Sequence, residues 1–282
     1  MAVLRGQSYA AEFLPRVARS TSTYTNWSAG PSMFGLLLTG VAALRSVAAY
    51  IVVSLYIVVI APPGILITLL IRRSHLLYWL GRQGARLGLA TVGLRYRVIG
   101  QGYIQPGRSI VYCANHTSNL EPPVLFMVLA AVHPRLRVLY KAEIHQIPLL
   151  STVFDIAGFV PIQRRNREQS RFAIATVAEA LRDGNSFLIF PEGTRSRTGK
   201  LLAFKKGGFV MAIKGGAAIV PLTILGTRQA MRKGSPIIRP LTVSVRIGAP
   251  IEPSECGLEN CDELIATTRT VMQELLAAGP LR

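Results

Sequence analysis

The sequence predicts an α/β fold in which a mixed, mostly buried sheet is flanked by helices and preceded by an N-terminal membrane-embedded helical segment. Two observations predict this arrangement. From residue 95 onward, short runs rich in valine and isoleucine, bounded by glycine or proline, alternate with segments of helical periodicity. Before that, residues 46–71 run for 26 residues without a charged side chain. Alternation of strands and helices is typical of a buried sheet covered by helices.

The uncharged segment 46–71 is long enough to be a membrane helix. As a helix it would extend ~39 Å, against a hydrocarbon core of ~30 Å. Pro62-Pro63-Gly64 interrupts it, which leaves two arrangements open. One is a kinked spanning helix, and the other is a helical hairpin that enters and leaves the same leaflet. Residues 72–94 then mix arginines with aromatic side chains, a composition typical of the membrane interface.

Composition points to the same surroundings. Half of the 282 residues are apolar, the mean hydropathy is +0.37 and the net charge is +18. An apolar and basic chain suits a membrane with anionic head groups, which we expect to be partners of this protein. Nucleic acid is excluded as a partner, because no aromatic-interleaved basic patch, zinc-finger spacing or RNP-type run is present. Three cysteines without a paired spacing favour a reducing compartment, and Cys113 within an apolar run is expected to be a buried thiol.

The predicted elements follow one another at short intervals. Strands are predicted at residues 95–100, 109–115, 135–141, 159–164, 186–190, 218–225 and 241–247. Helices are predicted at residues 168–182, where Gly184 supplies a stop signal, and at 262–278.

The octapeptide NHTSNLEP, residues 115–122, places His116 five residues before Glu121. Pro122 suits the first position of a helix and disfavours helical geometry in the preceding residue, so we expect a helix to begin at about Pro122. A tight loop would let the Glu121 carboxylate accept a hydrogen bond from one ring nitrogen and leave the other nitrogen as a base. A polar strand-to-helix turn or a glycosylation acceptor is the alternative interpretation of the same residues.

The stretch FPEGTRSRTGK, residues 190–200, follows a predicted strand. Gly193 can let the backbone approach a ligand, and Arg195 offers a planar fork suited to phosphate. A Walker loop is excluded, because the spacing after Gly193 is one residue too long and a leucine follows the lysine. Taken alone, the stretch is equally well explained as a solvated basic loop.

Taken together and in this order, the motifs resemble those of the glycerolipid acyltransferase family, the 1-acylglycerol-3-phosphate acyltransferases and their relatives. The resemblance covers roughly residues 95–250. The family's motifs read N-H-x4-D, G-x-x-x-I-x-R, F-P-E-G-T-R-S and V-P. Here they read Asn115-His116 with Glu121, Gly158 with Ile162 and Arg164, Phe190 to Ser196, and Ile219 to Leu222. One position departs from the family pattern, since Glu121 stands where the family usually has Asp.

The resemblance implies transfer of a fatty acyl group from acyl-CoA or acyl-carrier protein to the sn-2 hydroxyl of lysophosphatidic acid, giving phosphatidic acid. It implies that His116 acts as the general base and that Glu121 orients it. It also implies a set of substrate-binding residues, namely Lys141, Arg164, Glu192, Gly193, Thr194, Arg195 and Ser196. No cofactor and no metal are expected. Because no G-x-S-x-G is present, we expect direct attack without an acyl-enzyme.

The predicted organisation has three parts. We expect residues 1–31 to be poorly ordered, residues 32–94 to form membrane-embedded and interfacial helices, and residues 95–282 to form the acyltransferase catalytic domain. The positive-inside bias places the catalytic domain at the cytoplasmic face of the cytoplasmic membrane. Two alternatives stay open: an enzyme of the same family that acylates glycerol-3-phosphate or another lysolipid, and a non-catalytic lipid-binding membrane protein.

Overall fold

The computed structural model describes residues 33–163, 167–253 and 260–281. The segment 1–31 therefore lies outside the described residues, as do Arg164 and Cys256. Residues 39–282 form one compact unit, the second of the chain, and the described residues 33–38 belong to the first. The second unit contains most of the first helix as well as the whole sheet. The predicted division at residue 94 stays a prediction.

Two helices precede the sheet in the described part of the chain. Helix α1 spans Met33–Ile71 and helix α2 spans His75–Thr91. Helix α1 continues through Pro62 and Pro63, so a hairpin that turns at these prolines is wrong for this chain. By length and composition α1 is a candidate for crossing a membrane, the one such helix among the described residues. Within the second unit α1 packs against α2, and the Tyr56 hydroxyl of α1 donates a hydrogen bond to the Leu80 carbonyl of α2 at 2.9 Å.

The sheet has seven strands in the order β1-β7-β6-β2-β5-β3-β4. The strands are β1 (Arg95–Ile99), β2 (Ile110–Ala114), β3 (Leu136–Lys141), β4 (Val160–Ile162), β5 (Ser186–Ile189), β6 (Ala218–Leu225) and β7 (Thr242–Ile247). All neighbouring pairs are parallel except β6 and β7, which are antiparallel. The predicted mixed α/β fold is confirmed. The predicted strands are confirmed to within about two residues at each end, apart from the end of the fourth, which falls outside the described residues.

Six more α-helices are found among the described residues. They are α3 (Glu121–Val128), α4 (Pro148–Ile156), α5 (Arg167–Arg182), α6 (Gly207–Gly215), α7 (Thr227–Ala230) and α8 (Cys261–Ala277). Helices α5 and α8 confirm the two helices predicted from periodicity. Helix α3 begins at Glu121, one residue before the expected start, because the carboxylate is held at the helix entrance by hydrogen bonds described below.

Alternate residues of the central strand β2 face two separate apolar clusters. Tyr112 packs in one cluster with Leu89 of α2 and Val124 of α3. Cys113, which is fully buried as predicted, packs in the other with Val177 of α5. A strand that is buried on both faces is typical of a parallel sheet between two layers of helices. The fold is thus a three-layer arrangement around β2.

The turn after β1 provides a test of the packing between the edge strands. Gly100 has φ +83°, and a Cβ added there would lie 2.2 Å from the carbonyl oxygen of Ile247, the last residue of β7. We expect Gly100→Ala to lower the free energy of unfolding by at least ~2 kcal/mol, since it adds left-handed strain to a clash with backbone. Gly102→Ala, in the same turn with no atom within 4 Å of the added Cβ, is the control. Equal unfolding midpoints for the two variants would contradict this account.

Candidate active site

The candidate site lies at one edge of the sheet. Strands β2, β5, β3 and β4 are neighbours and run parallel, so their carboxyl ends meet at this edge. Ligand sites in open α/β sheets form beyond the carboxyl ends of the strands. His116 follows β2, Phe190 follows β5 and Lys141 ends β3, which brings the first motif, the third motif and Lys141 together.

The predicted histidine–acid pair is formed. The Nδ1 atom of His116 lies 2.7 Å from Oε2 of Glu121. The imidazole stacks on the ring of Phe190, with the ring centroids 4.2 Å apart. The His116 side chain is 17% exposed and lines the cavity described below. With Nδ1 directed at the carboxylate, Nε2 is the nitrogen left for a substrate hydroxyl.

Glu121 is fully buried, and its carboxylate is surrounded by hydrogen-bond donors. The backbone N–H groups of Thr117 and Ser118 donate to it at 2.9 Å and 3.1 Å. The hydroxyls of Thr117 and Thr227 donate to Oε1 at 2.6 Å and 2.8 Å. A buried carboxylate is stable only when its oxygens accept such bonds. These donors hold Glu121 in one orientation, and through it they hold the ring of His116.

A second buried acid, Glu192, links the first motif to the third. Its carboxylate accepts hydrogen bonds from the backbone N–H of His116 at 2.7 Å and of Leu202 at 2.8 Å. The backbone N–H of Ser196 donates in turn to the His116 carbonyl at 2.7 Å. Burial raises the pKa of Glu192, and the two backbone hydrogen bonds oppose that rise. Glu192 therefore fixes the backbone on both sides of the site.

A large cavity lies against these residues. Its volume is about 1210 Å³, and its walls are mostly apolar residues of α1, α2, α3 and the strands β3 and β5. Four basic side chains line it, those of Lys141, Arg195, Lys205 and Lys233. No aspartate or glutamate is among the described residues that line it. The charge and shape of this cavity suit an amphiphile with a negatively charged head group.

The basic side chains differ in how they are held. Lys141 forms an exposed ion pair with Glu143 at 3.0 Å. Lys233 donates to the Arg195 carbonyl at 3.0 Å, so it sits against the third motif. Lys205 packs its stem over Gly193, where an added Cβ would lie 2.9 Å from its Cε. Gly193 is at φ +66° and lets this lysine approach the loop.

The structure brings most of the predicted residues to this edge. His116, Lys141, Gly193, Thr194 and Arg195 line the cavity. Glu121, Glu192 and Ser196 are buried behind it. Arg164 lies outside the described residues, although β4 ends at the same edge. The individual roles of these residues stay predictions.

Two residues of the site, Thr227 and Lys233, were not among those predicted. Lys205 lies in FKKG, residues 204–207, a segment whose sequence also resembles family positions, although no role was predicted for the lysine itself. Thr227 is 106 residues from Glu121 in the chain, and Lys233 is 38 from Arg195. No short-range pattern connects residues so far apart.

A mostly parallel sheet with a paired imidazole and carboxylate beside a basic, apolar cavity defines an α/β protein with a candidate active site. Residues 95–225 match the family model described as Acyltransferase, so this part of the chain is a domain of the acyltransferase family. The family resemblance of the sequence motifs is thereby confirmed.

Relatives of known function agree with this assignment. A chloroplastic 1-acyl-sn-glycerol-3-phosphate acyltransferase of Arabidopsis thaliana is 36% identical over 149 residues, 52% of this chain and 41% of that protein. A protein of the same description from Cocos nucifera is 31% identical over 65% of this chain and 61% of its own length. The matched region thus spans less than two thirds of either relative.

A solved structure shares the fold. The crystal structure of the 1-acyl-sn-glycerophosphate (LPA) acyltransferase, PlsC, from Thermotoga maritima matches with a TM-score of 0.73 and 24% identity. The match covers 86% of this chain and 98% of that chain. At this identity the likeness shows the fold.

The bracing role of Glu192 is testable by stability. In Glu192→Gln one of the two backbone N–H donors faces an amide NH₂ in place of an oxygen and loses its acceptor. We expect the free energy of unfolding to fall by ~1–3 kcal/mol, the cost of an unsatisfied buried donor. The exposed Glu263 in the first turn of α8 supplies the control Glu263→Gln. The measurement is chemical unfolding of both variants. An equal loss in free energy of unfolding would show that Glu192 does not stabilise the backbone of the site.

Proposed function

We propose that the protein is a membrane-bound acyltransferase that transfers a fatty acyl group from acyl-CoA or acyl-carrier protein to the sn-2 hydroxyl of lysophosphatidic acid, giving phosphatidic acid. The observation that carries the proposal is the His116–Glu121 hydrogen bond of 2.7 Å beside an apolar cavity with basic lining. The names of the relatives support the acceptor, and the length and composition of α1 support the membrane.

The chemistry follows from the pair. Nε2 of His116 accepts the proton of the acceptor hydroxyl as its oxygen attacks the thioester carbonyl carbon. The carbon–sulfur bond then breaks, and the leaving thiolate takes the proton back from the imidazolium. The Glu121 carboxylate accepts a hydrogen bond from Nδ1–H throughout and stabilises the positive ring. General-base help of this kind contributes ~10²–10⁴ in rate.

The acceptor phosphate would be bound by the basic lining of the cavity. A phosphomonoester carries close to two negative charges at neutral pH, and arginine and lysine bind it by charge-assisted hydrogen bonds. Arg195 offers the planar fork, while Lys205 packs over Gly193 of the same loop and Lys233 donates to the Arg195 carbonyl. Lys141 completes the described set. The apolar walls would hold acyl chains.

The first test is a transfer assay with His116→Ala. With detergent-purified protein, labelled acyl-CoA or acyl-carrier protein and a panel of lyso-acceptors, we expect wild-type protein to form phosphatidic acid. His116→Ala should lower kcat by ~10²–10⁴, because the general base is lost. His75→Ala, which removes the exposed histidine that begins α2, should retain full activity.

Other outcomes separate the alternatives. Product formed only with glycerol-3-phosphate or another lysolipid would support acyl transfer but contradict lysophosphatidic acid as the acceptor. No product with any acceptor and either donor would contradict the enzymatic proposal and favour a lipid-binding protein.

Recognition of the phosphate is testable at two neighbouring lysines. Lys205 lines the cavity, whereas Lys206 is exposed and pairs with Asp262 at 2.7 Å. Lys205→Met should raise the KM for lysophosphatidic acid by about tenfold, the loss of ~1.5 kcal/mol from one charge-assisted hydrogen bond. It should change the KM for an uncharged monoacylglycerol acceptor much less. Lys206→Met should leave both constants within about twofold, and equal effects of the two variants would contradict phosphate binding by Lys205.

The support of Glu121 is testable at two buried threonines. Thr227 donates to Glu121, whereas the hydroxyl of Thr223 has no hydrogen-bond partner among the described residues. Thr227→Val should lower kcat by roughly tenfold with little change in KM, because the carboxylate loses a donor and its hold on the imidazole loosens. Thr223→Val keeps the shape and removes an unsatisfied hydroxyl, so we expect unchanged kcat and equal or higher stability. A kcat that is insensitive to Thr227→Val would rule out this support.

A further inference from the structure

A second cavity, of about 700 Å³, is lined by residues of α1, α2, β1 and α3. Leu89 is buried and is the residue that lines both cavities. We call the second cavity the arginine cleft, because four arginines line it. They come from three elements: Arg45 from α1, Arg82 and Arg86 from α2, and Arg95 from β1.

Carboxylates of the described residues do not compensate the charge of the arginine cleft. No aspartate or glutamate is among the described residues that line it, and none of the four guanidinium groups forms an ion pair with a carboxylate in the described part of the chain. Four like charges around one cleft repel one another, and this repulsion is relieved by a bound anion. Arginine is also the side chain best matched to the oxygens of a phosphate group.

The backbone holds one of these arginines in place. The Nε of Arg45 donates to the Thr91 carbonyl at 3.3 Å. Its guanidinium lies over Gly93, where an added Cβ would be 3.0 Å from Nη2. Gly93 has φ +72°, so the glycine both makes the turn after α2 and leaves room for the guanidinium. The side chain is therefore preorganised before any anion binds.

The rest of the cleft is apolar. Leu94, Met127 and Ala130 line it together with Leu89. A cleft with guanidinium groups and an apolar wall suits a molecule that joins a phosphate to a hydrocarbon chain. Arg45 itself belongs to α1, the helix long and apolar enough to cross a membrane. Both features favour a lipid over a soluble anion.

We propose that the arginine cleft binds the phosphate group of an anionic phospholipid that is neither substrate nor product of the candidate active site. The bound lipid would link α1 and α2 to the first strand of the sheet. This is a discrete site, and Arg72 and Arg73, which follow the end of α1, are not part of it. The proposal does not depend on the proposed acyl transfer.

The test is a binding titration on the full-length protein in neutral detergent micelles. Isothermal titration calorimetry would use dihexanoyl phosphatidylglycerol, dihexanoyl phosphatidylcholine and sodium phosphate as separate probes. The diester head group of phosphatidylglycerol avoids the phosphomonoester expected at the active site. The cleft variant is Arg45→Gln/Arg86→Gln, with the exposed Arg86→Gln alone as a milder form. Arg72→Gln/Arg73→Gln removes the same charge outside the cleft, and Arg195→Gln probes the active site.

We expect saturable binding of phosphatidylglycerol that is stronger than binding of phosphatidylcholine. Affinity should fall at least tenfold in the double cleft variant and measurably in Arg86→Gln, and should stay within threefold in the other two variants.

Other outcomes are also informative. If sodium phosphate displaces the lipid with the same dependence on the cleft arginines, the proposed site is supported and free phosphate is a ligand too. Equal losses in both double variants would show diffuse attraction and overturn the proposal. Loss only in Arg195→Gln, or no preference between the two lipids, would also overturn it. Acyl transfer is measured on the same samples, so that a failure of lipid binding at the cleft can be distinguished from a failure of the proposed reaction.

Discussion

The candidate site depends on one constraint, the complete burial of the Glu121 carboxylate. Removing a charged carboxylate from water costs several kcal/mol unless its oxygens accept hydrogen bonds, so the chain must bring donors to it. Thr117 and Ser118 supply them from the loop after β2, and Thr227 supplies one from the segment after β6. Strands β2 and β6 are parallel neighbours, which sets both donor segments at one edge. The imidazole of His116 is then aligned by an acid that is itself fixed by the sheet.

The parallel part of the sheet explains why distant motifs converge. The first motif follows β2, the third follows β5 and Lys141 ends β3, so a common strand direction is enough to gather them. This much could be predicted from the sequence, because strands that are buried on both faces leave continuous apolar runs with clear ends. The strand bounds 218–225 are the same in prediction and structure for that reason. The pairing of His116 with Glu121 could also be predicted, since both lie in one short loop.

What could not be predicted depends on tertiary contacts. Local propensity alone ends a helix at a proline pair, yet α1 continues through Pro62 and Pro63. Packing outweighs propensity here: an added Cβ on Gly64 would lie 2.5 Å from the Leu80 side chain, so α1 and α2 are in close contact just beyond the prolines. Thr227 and Lys233 escaped prediction for a related reason. A buried threonine or a surface-like lysine has no local signature, and each gains its place only when β6 is set beside β2.

Helices α1 and α2 contribute residues to both cavities, in addition to packing against each other. Residues of both helices line the large cavity, and residues of both also line the arginine cleft. A charged head group needs basic side chains, and a hydrocarbon chain needs apolar walls, so each cavity has the two surfaces that one amphiphile requires. If α1 lies in a bilayer, as we propose, its apolar face supplies a wall that continues from lipid to protein. An amphiphile could then reach either cavity without exposing its chain to water, a step that would cost ~0.8 kcal/mol for every CH₂ group. The same physical need, to keep hydrocarbon dry while a phosphate is bound, would account for both the apolar composition and the high positive charge of this chain.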